Sequence, residues 1–155
     1  SESIFEVEST EHDGTGLFSA IAQQGLEGIV AKKKLSTYMP AKRSSDWLKI
    51  KALRRLDAVI GGYTCRNGVS LMLGTYIENE LYYIGSAGTG LTEKASREVI
   101  RCLEKHPAQK CPFINVKQNQ KINWSQPLIK VRVKYLEQNS DFKLRHPVIE
   151  QILED

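Results

Sequence analysis

Between Ala58 and Gly85 three strand-forming runs are separated by turns that leave room only for hairpins. The runs are Ala58–Thr64, Ser70–Ile77 and Leu81–Gly85. Arg66-Asn67-Gly68 joins the first pair, and Asn-Gly accepts the positive φ that a tight hairpin requires. Glu78-Asn79 makes the second turn. Tight turns join antiparallel neighbours only. Several short strands at such intervals predict a small β-barrel or sandwich. Gly61-Gly62 falls inside the first run, where glycine permits a bend.

The segments that follow are less uniform. Gly85-Ser86-Ala87-Gly88-Thr89-Gly90 leads into a helix over Thr92–Lys105, with Thr92 as N-cap and Ala95, Val99, Cys102 and Leu103 inward. No Gly-Lys-Ser/Thr follows the glycines and the spacing is not G-x-G-x-x-G, so open backbone geometry explains this loop better than a phosphate cradle does. Residues 107–127 read as irregular, anchored by Trp124. Leu128–Leu136 is a strand, and Phe142–Arg145 is expected to be the last one. In the former, Lys130, Arg132 and Lys134 share a face opposite Ile129, Val131 and Val133. Three bases on one face suit a surface that tracks a polynucleotide backbone, and equally a solvated edge strand guarded by lysines.

The first 52 residues have a different character. A strand is expected near residues 3–9 with Phe5 and Val7 inward. A helix over Thr15–Gln24 is capped by Gly25. A strand over Leu26–Lys32, a loop over residues 33–46 and a strand over Trp47–Lys51 follow. Side chains alternate along a strand. Trp47, Lys49 and Lys51 therefore share one face, with the two ammonium groups about 7 Å apart. Such a pair repels unless an anion lies between; phosphate is the obvious candidate, and a half-buried strand with a solvated lysine face is the equal alternative. Glu27 falls on the face of Ile29 and Ala31, where an acid needs a partner or a cation. Lys32, five residues on, faces the other way and reaches the same site only if the strand bulges or ends there. Arg54-Arg55-Leu56-Asp57 reads as a hinge between the two parts.

Charge is divided in the same way. Residues 1–31 hold six acids and no Lys or Arg, while residues 32–55 hold nine bases against Asp46 alone. A basic segment this dense on a chain of net charge +4 points to a local polyanion site. Three cysteines without a C-x-x-C pair favour a reducing compartment. The spacing of Cys102, His106 and Cys111 fits no standard zinc site. No apolar run approaches membrane-spanning length, and the first residues lack the basic and apolar regions of a signal peptide.

Two of these runs carry a family pattern. Glu27-Gly28-Ile29-Val30-Ala31-Lys32 matches E-G-[hydrophobic]-V-x-K, and Trp47-Leu48-Lys49-Ile50-Lys51 matches W-L-K-x-K. With Tyr38, Ala41-Lys42-Arg43-Ser44-Ser45-Asp46, Asp57–Tyr63, Gly85, Gly88–Thr92 and Leu144-Arg145-His146-Pro147 in the same order, the chain resembles ATP-dependent DNA ligases, above all the ligase module of the bacterial end-joining type. The resemblance implies a mainly β, α+β chain. Residues 1–52 would be the last part of an ATP-grasp-like adenylation (nucleotidyltransferase) domain. Residues 53–155 would be a five-stranded OB-fold barrel with one helix.

The resemblance also implies roles. Lys49 and Lys51 would be catalytic and, with Lys32, would hold the phosphate of ATP or AMP. Glu27 would serve a divalent metal, Mg or Mn. Lys33, Lys34, Lys42, Arg43, Arg54, Arg55, Lys130, Arg132 and Lys134 would meet nicked or broken duplex DNA. End-joining repair proteins are implied partners, and the cytoplasm of a bacterium or archaeon, at the nucleoid, is the implied compartment. The family's nucleophilic lysine lies in K-x-D-G, and no such motif occurs here. The chain ends Leu153-Glu154-Asp155 where the family has R-x-D-K. It is therefore expected to bind DNA and the AMP phosphate without adenylating itself, its parent sealing nicks through enzyme-AMP and AMP-DNA. The implied partner is the missing N-terminal portion of the adenylation domain. A non-catalytic OB-fold module that grips nucleic acid is the alternative reading.

Overall fold

The computed structural model describes residues 9–66, 68–119 and 121–153. The strand expected near residues 3–9 lies outside them except for Ser9, as do Asn67 of the first hairpin turn and the terminal Glu154-Asp155. The chain divides into two compact units, Ser1–Ala52 and Leu53–Asp155.

The first unit holds helix α1 (Gly14–Gln23) and strands β1 (Gly28–Lys32) and β2 (Trp47–Lys51). Asp13 caps the helix by accepting from the Gly16 amide at 2.9 Å. At its other end Gly25 takes φ 74°. There the Gly25 amide donates to Ala22 O at 3.1 Å and the Leu26 amide to Ile21 O at 3.0 Å, which closes the helix in a left-handed glycine cap. Strands β1 and β2 pair antiparallel, and α1 packs against β1. None of the unit's described residues is fully buried.

The second unit is a five-stranded antiparallel sheet of β3 (Arg54–Thr64), β4 (Ser70–Ile77), β5 (Glu80–Ala87), β6 (Asn123–Tyr135) and β9 (Val148–Leu153), with α2 (Glu93–Lys105) between β5 and β6. Two-residue strands β7 (Glu137–Gln138) and β8 (Leu144–Arg145) pair beside it. The sheet order β5-β4-β3-β6-β9 is that of a partly open OB-fold barrel. Its outer strands are linked indirectly, since the Ile149 amide donates to Thr89 O at 3.1 Å. Gly90 makes this approach possible. It sits at φ 107°, and any Cβ there would run into the Ile149 carbonyl.

Both faces of the sheet are covered. One core joins Ile60, Leu73, Ile84, Val131, Val133 and Ile149 with Val99 and Leu103 of α2. The other packs Phe113 and Trp124 with Val59, Met72 and Leu81. On that side Gly61, Gly62 and Gly74 leave room for the two rings, because a Cβ at each would strike Phe113 or Trp124. The residues after α2 thus serve as a lid on the second face.

Several sequence expectations change. The stretch Arg54–Asp57 is strand rather than hinge, because Arg54–Asp57 pair with Arg132–Tyr135. Strand β5 runs to Ala87, so only Gly88–Leu91 remain as loop. Strand β6 begins at Asn123 instead of Leu128; Pro127 lies where the register shifts between Ile60 and Gly62, and a proline is tolerated at such an irregularity. The last strand is β9, not Phe142–Arg145, of which only Leu144–Arg145 is extended. Lys130, Arg132 and Lys134 do alternate with buried neighbours, yet β6 lies between β3 and β9 and is no edge.

Candidate phosphate site

The register of β1 and β2 builds a face. Gly28 lies opposite Lys51, Val30 opposite Lys49, and Lys32 opposite Trp47. Directly opposed residues of an antiparallel pair project to the same side, so Lys32, Trp47, Lys49 and Lys51 share it. The facing expected for Lys32, opposite to Ile29 and Ala31, is the one observed, and the facing expected for Glu27 is the one that changes. Lys32 follows the strand's parity toward this face, and Glu27 is the residue that departs from it. Glu27 precedes β1, which starts at Gly28 with φ 152°. A Cβ on Gly28 would strike the Ile50 carbonyl. Glycine lets the chain turn tightly against β2, and the Glu27 carbonyl accepts from the Ala52 amide at 2.8 Å.

Over this face lies a cavity of about 620 Å³ lined by Glu27, Thr37, Tyr38, Met39, Lys42, Arg43, Ser44, Trp47, Lys49 and Lys51. Lys32 is not part of the lining. Its Nζ sits 4.4 Å from the centre of the Trp47 ring, a cation–π contact. The same indole donates from Nε1 to Ser36 Oγ at 2.9 Å. Tyr38 leans on it with ring centres 5.5 Å apart.

The basic residues fall into two groups. Lys34 meets Glu11 at 2.9 Å, and Lys33 meets Asp46 at 3.9 Å. Lys42, Arg43, Lys49 and Lys51, all in the cavity wall, have no acidic partner among the described residues. Four cations thus surround one carboxylate, Glu27. Among the described residues no three His, Cys, Asp or Glu side chains come together to hold a metal.

In the second unit the expected DNA-facing bases are partly occupied. Arg132 donates to both oxygens of Asp57, at 2.8 and 3.0 Å, and Arg55 to both of Glu150, at 2.7 and 3.0 Å. The arginine partners hold both carboxyls below their ordinary range, and the acids raise both guanidinium values. Lys134 lies opposite Arg55 on this face, and Lys130 opposite Val59; Arg54, next to Arg55, lies opposite Tyr135. Sequence reasoning missed these forks. Only the register shows that Asp57 and Arg132 stand opposite each other.

A family model described as ATP dependent DNA ligase C terminal region matches residues 65–155. Another, described as ATP dependent DNA ligase domain, matches residues 4–51. The chain belongs to the ATP-dependent DNA ligases. The multifunctional non-homologous end joining protein LigD of Mycolicibacterium smegmatis is 32% identical over 144 residues, which are 87% of this chain and 19% of that protein. Its namesake in Pseudomonas aeruginosa is 30% identical over 154 residues, 92% of this chain and 18% of that protein. The crystal structure of the ligase domain from M. tuberculosis LigD superposes with TM-score 0.60 at 28% identity, covering 91% of this chain and 48% of that one. A mycobacterial DNA ligase D complexed with ATP and MES gives the same TM-score, 0.60, over 92% of this chain and 48% of that one. The chain therefore spans less than a fifth of these curated relatives and about half of the solved ligase domains.

Proposed function

We propose that the chain supplies the phosphate-binding wall and the DNA-gripping OB unit of an ATP-dependent DNA ligase that seals nicks or breaks in DNA repair and recombination. The observation that carries this reading is the group of four cations in one cavity wall, without acidic partners among the described residues, whereas Lys33 and Lys34 nearby are paired. Lys49 and Lys51 hold the phosphate of AMP. Charge spreads over the phosphoryl oxygens as the group is transferred, and fixed cations stabilise it there. Lys42 and Arg43, at the rim, meet the DNA backbone. Lys32 acts through Trp47, which it holds against the cavity.

The residues fit a divalent cation in one manner. Glu27 alone is too few ligands for a protein cage, but Mg is commonly held by one or two carboxylates together with substrate phosphates. Glu27 would hold such a cation beside a bound phosphate, and the cation would add charge neutralisation there. The sequence contains no K-x-D-G lysine, so covalent adenylation would rest on residues outside it. Residues 1–52 act as the end of an adenylation domain, and residues 53–155 as the clamp.

Complementation tests this. The chain is mixed with a polypeptide carrying the K-x-D-G half of a related ligase domain, and sealing of a nicked duplex is measured. Sealing is expected, with loss of about a hundredfold or more in the Lys49→Ala, Lys51→Ala double variant. No sealing by the unaltered pair, or full sealing by the double variant, overturns the proposal.

A further inference from the structure

We infer that Tyr38 is a stacking platform for a nucleobase whose phosphate lies on the neighbouring cations. This rests on the phosphate reading of the same cavity and adds the part of the ligand that phosphate chemistry leaves unspecified. Tyr38 lines the cavity together with Lys42, Arg43, Lys49 and Lys51, and it remains 67% exposed. No hydrogen bond to its hydroxyl occurs among the described residues. A large aromatic ring left open beside cations that have no acidic partner among the described residues is the combination that binds nucleic-acid strands: charges take the backbone and rings take the bases.

The ring is also held in place, which an exposed loop tyrosine ordinarily is not. Trp47 supports it at 5.5 Å between ring centres. Trp47 is in turn fixed by Ser36 at 2.9 Å and by the Lys32 ammonium at 4.4 Å. Its backbone belongs to β2, so the platform stands on a strand and not on loop alone. A supported ring has little rotational freedom left to lose, so stacking on it costs less entropy than stacking on a free side chain. Met39, 49% exposed, adds a polarisable flank to the same wall.

The base could belong to a mononucleotide or to a DNA strand end, and one experiment separates them. Binding of the full chain is measured for inorganic pyrophosphate, AMP and a nicked DNA duplex, using the original protein, Tyr38→Phe and Tyr38→Leu. Circular dichroism checks that each variant folds. Tyr38→Leu is expected to weaken a base-bearing ligand on the order of tenfold, with pyrophosphate unchanged and Tyr38→Phe close to the original. Weakening of AMP assigns the platform to the mononucleotide; weakening of the duplex alone assigns it to the strand end. Equal affinity of Tyr38→Leu and the original for both AMP and duplex overturns the inference, as does equal weakening of pyrophosphate. Failure of the original protein to bind any of the three overturns the phosphate reading instead.

Discussion

Pro40 and Ala41 occupy the middle of a turn whose Lys42 amide donates to Met39 O at 3.3 Å. Ala41 has φ 59°, a value at which its Cβ crowds the backbone and which glycine takes freely. Ala41→Gly is therefore expected to stabilise the first unit by up to about 1 kcal/mol, read as a higher denaturant midpoint. A lower midpoint would show that the turn is not strained there. At the same scale, Asp57 and Glu150 have folded pKa values below their unfolded ones. Each thus contributes stability that is present above the ordinary carboxylate pKa and lost as pH falls through the depressed folded value. The melting temperature of the second unit should decline through the acid range, and Asp57→Asn with Glu150→Gln should flatten that decline. An unchanged slope in the double variant would mean that the forks are neutral to folding. Both carboxylates are solvent-facing, so the effect should also shrink in high salt.

Strand β6 reaches back under the end of α2, where backbone bonds from Gln126 N to His106 O and from Ala108 N to Trp124 O are reinforced by one hydroxyl. Ser125, fully buried, has Oγ 2.9 Å from His106 O and 3.2 Å from Leu103 O. Backbone amides reach the same carbonyls, His106 N donating to Leu103 O at 3.1 Å and Gln126 N to His106 O at 2.9 Å, so the hydroxyl adds a further donor at the helix end. Ser125→Ala should cost about 1 kcal/mol in urea unfolding, and a loss near zero would mean that the backbone donors suffice. A second element-level test is Gly90→Ala, which forces a Cβ into the Ile149 carbonyl and should cost more than about 2 kcal/mol, with β9 losing amide protection first. The elements also show what the sequence could display. Residues 128–136 alternate cleanly, and that half of β6 was legible. The half from Asn123 was not, because Pro127 and the register shift break the period of two. Strand β9 was hidden for a similar reason: Val148, Ile149, Ile152 and Leu153 have the spacing of a helical stripe. The irregularity between Arg132 and Val133 of its partner produces that spacing. At the site, Lys49 and Lys51 were readable from alternation alone. The facing of Glu27 is not readable, because nothing in the sequence shows that β1 starts at Gly28, two residues later than Leu26.

Over the whole molecule the two units differ in how they are held. The second has two buried clusters, whereas no described residue of the first is fully buried. Apolar burial is the main favourable term in folding, so residues 53–155 should be the more stable of the two units. Hydrogen exchange should show amides of β3, β4 and β6 exchanging together and slowly, and those of β1 and β2 exchanging markedly faster. Equal protection across both units would refute this. The cations of the cavity wall, without acidic partners among the described residues, then acquire a meaning apart from the role proposed for them in catalysis. Like charges held together without a core beneath them push the first unit toward its unfolded ensemble. An anion that fits the wall removes the repulsion and adds RT ln(1 + [L]/Kd) of stability in the same event. On the proposed phosphate reading, recognition and ordering of this unit become one equilibrium, and its degree of folding would register how much phosphate-bearing ligand is at hand.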